Sequence, residues 1–258
     1  MNKTVEVTGM KLKAQASDGI VISGDNKGTW TTEWDVAMSA GVELYPTSTD
    51  GTTSPTWAVA YSKDFDDANE EQTGSGAYTD LSLTYDASLA SGTTFTSSVD
   101  GVGKSASPDR NYVLKKTFWI KSTGETDWDD AGLNIDEVTA EATTESGSGT
   151  GELNKSLRVL VVVSNVGGTE KSSFIYAPID GYDDSIKYKN GSALTLLSSS
   201  DSSDTAITDI PNTDANAIRV DMYMYYEGED IHCKSSNVTA ISVDTLTVSA
   251  KFSTDATP

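Results

Sequence analysis

The chain of 258 residues has few of the side chains that build disulfide, zinc or redox chemistry, with one cysteine and one histidine. These two residues cannot form an internal disulfide bond or a four-ligand cysteine–histidine zinc site. Basic residues are also scarce, because 18 Lys and Arg stand against 39 Asp and Glu and give a formal net charge of −21. A chain this acidic, with no basic run, repels nucleic-acid backbones and anionic membranes, so neither is an expected partner.

Long apolar segments are lacking as well. The longest uninterrupted apolar runs, such as residues 159–163, fall far short of the roughly 20 residues that span a bilayer, so we expect no membrane insertion. No signal peptide is visible, because residues 1–4 lead directly into a strand-like pattern. Two interpretations fit this start: a cytosolic chain, or a mature exported chain whose leader has been removed.

Serine, threonine and glycine are what the chain has in excess, with 33 Ser, 33 Thr and 21 Gly. Threonine suits exposed strand faces, while serine and glycine suit turns. Disorder is the competing interpretation of so polar a composition, but the apolar residues are grouped at strand spacing. The composition therefore favours an all-β protein, and the length fits one sandwich, since sandwiches of about 200–250 residues often fold as a single unit.

The clearest strand pattern lies near the N-terminus, where Met10, Leu12, Ala14 and Ala16 alternate with polar residues. A period of two is typical of a strand with one buried and one exposed face. Similar patterns predict further strands at residues 20–22, 29–37, 41–45, 57–62, 81–85, 93–99, 111–121, 157–164, 173–179 and 246–252.

Two of the C-terminal patterns carry more detail. Run 157–164 is rich in valine and nearly continuous, which is typical of a central strand, and we expect 173–179 to pair with it as a hairpin. Residues 218–226 alternate between apolar side chains and a second face that carries Arg219, Asp221, Tyr223 and Tyr225. This alternation predicts one buried face.

Helical patterns are short and show no extended amphipathic stripe. The sequence therefore predicts a jelly-roll-like sandwich of two antiparallel sheets with long loops and at most short helices. We interpret residues 17–258 as a single sandwich domain and residues 1–16 as an N-terminal strand segment. The glycine- and serine-rich run 143–151 is then a surface loop within that domain.

The densest acidic cluster contains Asp64, Asp66 and Asp67. Carboxylates suit Ca²⁺, which takes several oxygen ligands, so these residues are the candidate metal site. The EF-hand pattern fails here, because Asn69 stands where the loop needs glycine and Ser75 where it needs a bidentate glutamate. A solvated acidic loop is the competing interpretation, and no other cofactor is expected.

Catalytic constellations are lacking. His232 and Cys233 are adjacent, so on an extended strand they point to opposite faces, which disfavours a nucleophile–base pair and favours an ordinary, partly buried strand pair. No nucleophile elbow, phosphate-binding loop or dinucleotide fingerprint appears. We therefore do not expect an enzyme. Trp119, Tyr223 and Tyr225 could line a platform for a glycan, but cross-strand aromatic pairing is the favoured explanation of these residues.

Three stretches carry a resemblance: YVLKKTFWIKS at 112–122, LRVLVVV at 157–163 and YYEGED at 225–230. They resemble exported surface proteins of Gram-positive, clostridia-type bacteria. The opening VEVTGMKLKA at 5–14 is similar to the segment that follows signal cleavage in those proteins. More loosely, the layout resembles the TasA and camelysin group of matrix-fibre proteins.

That resemblance implies an extracellular or cell-surface jelly-roll subunit that forms a homopolymer by donating its N-terminal strand to a neighbour. An extended peptide added to a sheet edge gains main-chain hydrogen bonds, and its alternate side chains fill pockets. Val5, Val7, Met10 and Leu12 would be those side chains. The same residues forming an ordinary first strand of their own sheet is the alternative. A carbohydrate-binding or adhesin module, calcium-dependent or not, and a phage structural protein are the alternative functions.

Overall fold

The structure is a computed structural model of the chain. It describes residues 5–7, 10–25, 27–38, 42–61, 77–86, 101–106, 109–124, 131–144, 152–190, 193–203, 205–233 and 243–255. The predicted strand at 93–99 lies outside these residues, as does the acidic cluster with Asp64, Asp66 and Asp67.

The described chain forms seventeen strands. They are β1 (Val5–Val7), β2 (Met10–Ala16), β3 (Ile20–Ser23), β4 (Glu33–Met38), β5 (Val42–Leu44), β6 (Ser48–Thr49), β7 (Trp57–Tyr61), β8 (Ala77–Leu81), β9 (Leu83–Asp86), β10 (Gly101–Ala106), β11 (Asp109–Ser122), β12 (Leu133–Thr144), β13 (Leu157–Ser164), β14 (Lys171–Ala177), β15 (Leu196–Ser198), β16 (Ile218–Tyr226) and β17 (Val243–Thr254). Within the described ranges, helical structure is limited to short 3₁₀ turns at Glu152–Ser156 and Tyr188–Asn190. The predicted all-β class is confirmed.

The strands form two large sheets and one small sheet. The six-stranded sheet contains β12, β17, β1, β2, β4 and β5, and the eight-stranded sheet runs β15-β14-β13-β16-β11-β10-β9 with β3 also paired to β11. The small sheet is β6-β7-β8. Most pairs are antiparallel, but β1 and β2 run parallel to β17, and β15 runs parallel to β14. As expected, β13 is a central strand and β14 is its hairpin partner.

The main core lies between the two large sheets. Phe118 of β11 packs against Phe252 of β17 and Trp34 of β4, with ring centroids 5.5 and 5.6 Å apart. Leu12 of β2 and Met222 of β16 are fully buried in the same core. The alternating apolar residues of each sheet therefore meet face to face, as the period of two in their sequences requires.

The outer face of the eight-stranded sheet has a second, smaller core. Trp57 of β7 and Leu81 of β8 cover Tyr223, Tyr225 and Val162, and the Trp57 ring lies 5.1 Å from that of Tyr225. The prediction that β16 buries one face only was therefore wrong. Its second face is buried because the small sheet lies over it, and this contact also excludes Tyr223 and Tyr225 from an exposed glycan platform.

Two further sequence features are placed by the structure. Strand β12 includes the first two residues of the run 143–151, and the rest of that run lies outside the described residues. No helix among the described residues is long and apolar enough to cross a bilayer.

Phe118→Ala tests the contact between the two large sheets. We expect a loss of about 3–5 kcal/mol in the free energy of unfolding, because the change removes a buried ring and leaves a cavity. Urea denaturation followed by circular dichroism measures it. Val166→Ala is the control, since Val166 is 52% exposed in a hairpin turn, and such surface changes usually stay within about 0.5 kcal/mol. Equal losses for the two variants would contradict this packing.

Candidate functional site

The N-terminal segment occupies a slot in the six-stranded sheet. Strand β2 runs parallel to β17, with Met10 opposite Leu246 and Ala16 opposite Phe252. On its other side, β2 pairs antiparallel with β4. Because both edges of β2 are paired, its removal would leave β17 and β4 with unpaired backbone groups.

Side chains of β2 follow the alternation predicted from the sequence. Leu12 and Ala14 are fully buried in the main core, while Lys11 and Lys13 are exposed. The segment thus fills the slot in two ways, with main-chain pairing on both edges and apolar side chains beneath. This is the pattern that strand addition requires.

Strand β1 extends the same arrangement along β17. Val7 pairs in parallel with Val243, and Val5 pairs in antiparallel fashion with Leu44 of β5. Of the four residues proposed for strand donation, Val5, Val7 and Met10 are described here by their backbone pairing, and Leu12 also by its burial. The single chain fills the slot with its own segment.

A connection of three residues, 17–19, joins β2 to β3 in the opposite sheet. Ser17 and Asp18 are exposed, and Gly19 adopts a left-handed φ of +91°, a conformation that glycine adopts without strain. The connection is held by the Ser17 amide, which donates to Phe252 O at 2.9 Å, and by Gly19 O, which accepts from the Thr123 amide at 2.9 Å. This short turn is the covalent link between the segment formed by β1 and β2 and the strands that follow it.

A buried network of charged side chains lies where β13 begins and β16 ends. The Arg158 guanidinium is fully buried and pairs with Asp230 at 2.5 Å, from its Nη2 to Oδ2. It also donates to the main-chain carbonyls of Lys155, Leu157 and Asp183 at 2.7, 2.9 and 3.2 Å. Arg158 thereby ties together the 3₁₀ turn before β13, the loop after β14 and the turn after β16.

Asp230 receives hydrogen bonds from two further partners. Its Oδ1 accepts from the His232 amide and lies 2.8 Å from His232 Nδ1, and its Oδ2 accepts from the Asp183 amide at 3.2 Å. A buried ion pair is tolerated when such additional bonds satisfy the charges. The network therefore holds together the 3₁₀ turn before β13, the loop after β14 and the turn after β16.

Glu227 is a second buried carboxyl beside this network. Its Oε1 accepts from the Glu229 amide at 3.1 Å, and its Oε2 accepts from Ser48 Oγ at 3.2 Å. Burial raises the pKa of Glu227 from 4.5 to about 8, against the opposing effects of the Glu229 amide bond and the Arg158 charge. Burial therefore favours the protonated, uncharged form of this carboxyl.

His232 and Cys233 do not form the strand pair that their sequence suggested. They lie in the turn that follows β16, because the Cys233 amide donates to Asp230 O at 2.8 Å and closes the chain back on itself. Burial raises the pKa of the Cys233 thiol to about 12, and its side chain packs against the main core. A thiol held in this protonated form is a poor nucleophile.

The remaining candidate residues are the three calcium candidates and Trp119. The calcium candidates Asp64, Asp66 and Asp67 fall outside the described residues, so that site stays a prediction. Across the described ranges, no group of three or more His, Cys, Asp or Glu side chains is placed to share a metal ion. Trp119 is nearly buried on the outer face of the eight-stranded sheet, at 8% exposure.

Sequence reasoning missed the network of Arg158, Asp230 and Glu227. Arg158 opens an apolar run and the two carboxyls lie in the exposed-looking stretch 227–230, so no period in the sequence marks them as buried. The one available indication was a basic residue beginning a central strand, where a charge is buried only if it is paired.

Comparison of this chain with models of protein families, with curated proteins and with solved structures found no match. The resemblance to matrix-fibre proteins therefore stays a prediction that depends on the quoted residues.

Arg158→Met tests the buried ion pair. We expect a loss of roughly 3–5 kcal/mol in the free energy of unfolding, because the Asp230 charge stays buried without its cation. Lys121→Met is the control, since it removes a more exposed pair with Asp214 at 2.6 Å and such pairs contribute about 0–1 kcal/mol. In urea denaturation, the double variant Arg158→Met/Asp230→Asn should recover part of the loss. Equal losses for Arg158→Met and Lys121→Met would contradict a stabilising role for the buried pair.

Glu227→Gln tests the raised pKa. The folded-state pKa of about 8 exceeds the unfolded value of 4.5, so the wild-type protein loses stability as the pH rises between these values, by up to about 1.4 kcal/mol per pH unit. Glutamine keeps an acceptor for the Glu229 amide but has no proton to lose. The variant's stability relative to wild type should therefore increase from pH 5 to pH 8 and then level off.

Urea denaturation of both proteins at several pH values measures this difference directly, since the other titrating groups are common to the two. A difference in stability that stays constant across the range would contradict a carboxyl that is neutral at pH 7.

Proposed function

We propose that this chain is a structural subunit of an extracellular bacterial filament or surface fibre, which polymerises by donating its N-terminal strand to the next copy. In this proposal the protein is not an enzyme, and its principal partner is itself. The observation that supports the proposal is the position of β2, an N-terminal strand that lies between β17 and β4 with both edges paired.

A strand in this position is suited to exchange because its contacts do not depend on which copy supplies it. The same pairing with β17 and β4, and the same burial of Leu12 and Ala14, would form if a neighbour's segment entered the slot. Exchange of an identical element between protomers is a low-cost route to assembly. Only the connection at 17–19 would change its conformation.

The proposal requires a chain of subunits and not a closed pair. In such a chain each copy accepts a strand from one neighbour and gives its own strand to a different neighbour, so the two contact surfaces are different. Interfaces of this head-to-tail kind generate filaments when the rotation does not close a ring. A single type of subunit is then sufficient for growth.

The net charge of the subunits opposes assembly, but the proposed contact does not depend on surface charge. Copies of a −21 chain repel one another. Main-chain hydrogen bonds and burial of Leu12 and Ala14 do not depend on the sign of the surface charge. Added salt should therefore promote polymerisation by screening the repulsion.

A disulfide between β2 and β4 distinguishes donation between copies from pairing within one chain. Lys13 and Asp35 are direct cross-strand partners and both are exposed. The variant Lys13→Cys/Asp35→Cys, made with Cys233→Ala to remove the native thiol, is incubated at high concentration and then oxidised. We expect a covalent ladder of multimers on non-reducing electrophoresis, and filaments of the same sample by negative-stain electron microscopy.

Lys13→Cys and Asp35→Cys alone, each with Cys233→Ala, are the matched controls and should give no ladder beyond a dimer. Reduction should collapse the ladder to a single band. Complete oxidation to a monomeric product at every concentration, with no filaments, would refute donation between copies and assign β2 to its own sheet.

A further inference from the structure

A pocket of about 380 Å³ opens on the outer face of the eight-stranded sheet, at the end that the small sheet leaves uncovered. Three of its lining residues are basic, namely Lys27, Lys171 and Arg219, and Trp119 forms part of its wall. The pocket is open to solvent and its lining is more polar than apolar, so charged groups are what a ligand would meet there. So much positive charge in one pocket is unexpected in a chain that has 18 basic residues against 39 acidic ones.

Strand register fixes the positions of four of the residues that line the pocket. Trp119 of β11 pairs with Arg219 of β16, Arg219 pairs with Ser164 of β13, and Ser164 pairs with Lys171 of β14. Directly opposed residues on neighbouring strands project from the same face, so these four side chains form one row across the sheet. Rigid strands therefore hold the indole and two cations side by side.

The turn between β13 and β14 shapes one side of this row. Gly168 has a φ of +62°, and a Cβ at this position would lie 2.7 Å from Lys171 Cε. Glycine thus allows the Lys171 side chain to lie along the turn beside the pocket. Lys27, from the connection between β3 and β4, is the third basic residue of the pocket. It donates from Nζ to Ala215 O at 3.4 Å.

The positive charge of the pocket is only partly balanced by the protein. Arg219 donates from Nε to Asp221 at 3.0 Å, but its side chain is 39% exposed and Asp221 is also held by Lys115 and Thr117. In the part of the chain that the structure describes, no carboxylate pairs with the ammonium of Lys27 or Lys171. The pocket therefore offers cations to a ligand.

We propose that this pocket binds a carboxylate-bearing saccharide of the uronic-acid class. Arg219 and Lys171 receive the carboxylate, since charge-assisted hydrogen bonds of this kind are short and strong. Trp119 is 8% exposed, and the small part of its indole that reaches the pocket contacts the sugar ring, while Ser164 lies within the same row to contact a hydroxyl. The site is independent of strand donation, because none of its residues belongs to β1, β2 or β17.

Isothermal titration calorimetry with sodium glucuronate, glucose and inorganic phosphate, each at the same ionic strength, tests the proposal on the full chain. We expect glucuronate to bind at least about tenfold more tightly than glucose or phosphate, and more weakly as salt is added. Lys171→Gln and Arg219→Gln should each weaken glucuronate binding about tenfold, while Arg219→Lys should retain part of it.

Lys187→Gln is the matched control, because Lys187 is an exposed lysine that belongs neither to the pocket nor to the donated strand, and it should leave binding unchanged. Circular dichroism confirms that each variant is folded. Equal affinity for glucuronate and phosphate would reduce the pocket to a general anion site and overturn the saccharide assignment. Undetectable binding of glucuronate, or binding that Lys171→Gln and Arg219→Gln do not alter, would overturn the proposal altogether.

Discussion

The eight-stranded sheet buries side chains on both of its faces, and the other parts of the molecule are arranged around that requirement. In β16, Met222 and Met224 point into the main core, while Tyr223 and Tyr225 point into the outer core beneath the small sheet. The six-stranded sheet packs on the inner face, and the small sheet covers part of the outer face. Where this cover ends, polar and charged residues replace apolar ones along the same strands, and the pocket with Trp119 opens.

The six-stranded sheet depends on a contact between the two ends of the chain. Leu12 of β2 lies opposite Val248 of β17, so this pairing joins residues that are separated by almost the whole sequence. Closing a loop of this length costs chain entropy, and the pairing of β2 with β17 must offset that cost. A β2 segment from another copy would make the same pairing without closing that loop within one chain.

Much of this architecture could be predicted from the sequence, because alternation within a strand reports directly on burial. Strands β2, β13, β14 and β17 were located in this way, and so was the hairpin of β13 and β14. The small sheet and the burial of Tyr225 could not be predicted, since the second cover of a strand depends on segments distant in the sequence. The burial of Arg158 and Glu227 could not be predicted for a related reason. Their burial is tolerated only through partners such as Asp230 and Ser48, which no local pattern connects to them.

Charge connects the proposed assembly with the proposed ligand. Copies of a chain of net charge −21 repel one another overall, so main-chain pairing and apolar burial suit a contact that joins them. The slot around Leu12 and Ala14 meets that condition. The basic pocket, in contrast, would attract an anionic ligand by its charge. Its row of Trp119, Arg219 and Lys171 holds positive charge on a rigid sheet. In a polymer of such subunits the pockets would repeat along the fibre at the spacing of the subunits. Weak binding to each pocket would then add up for an acidic polysaccharide that contacts several at once.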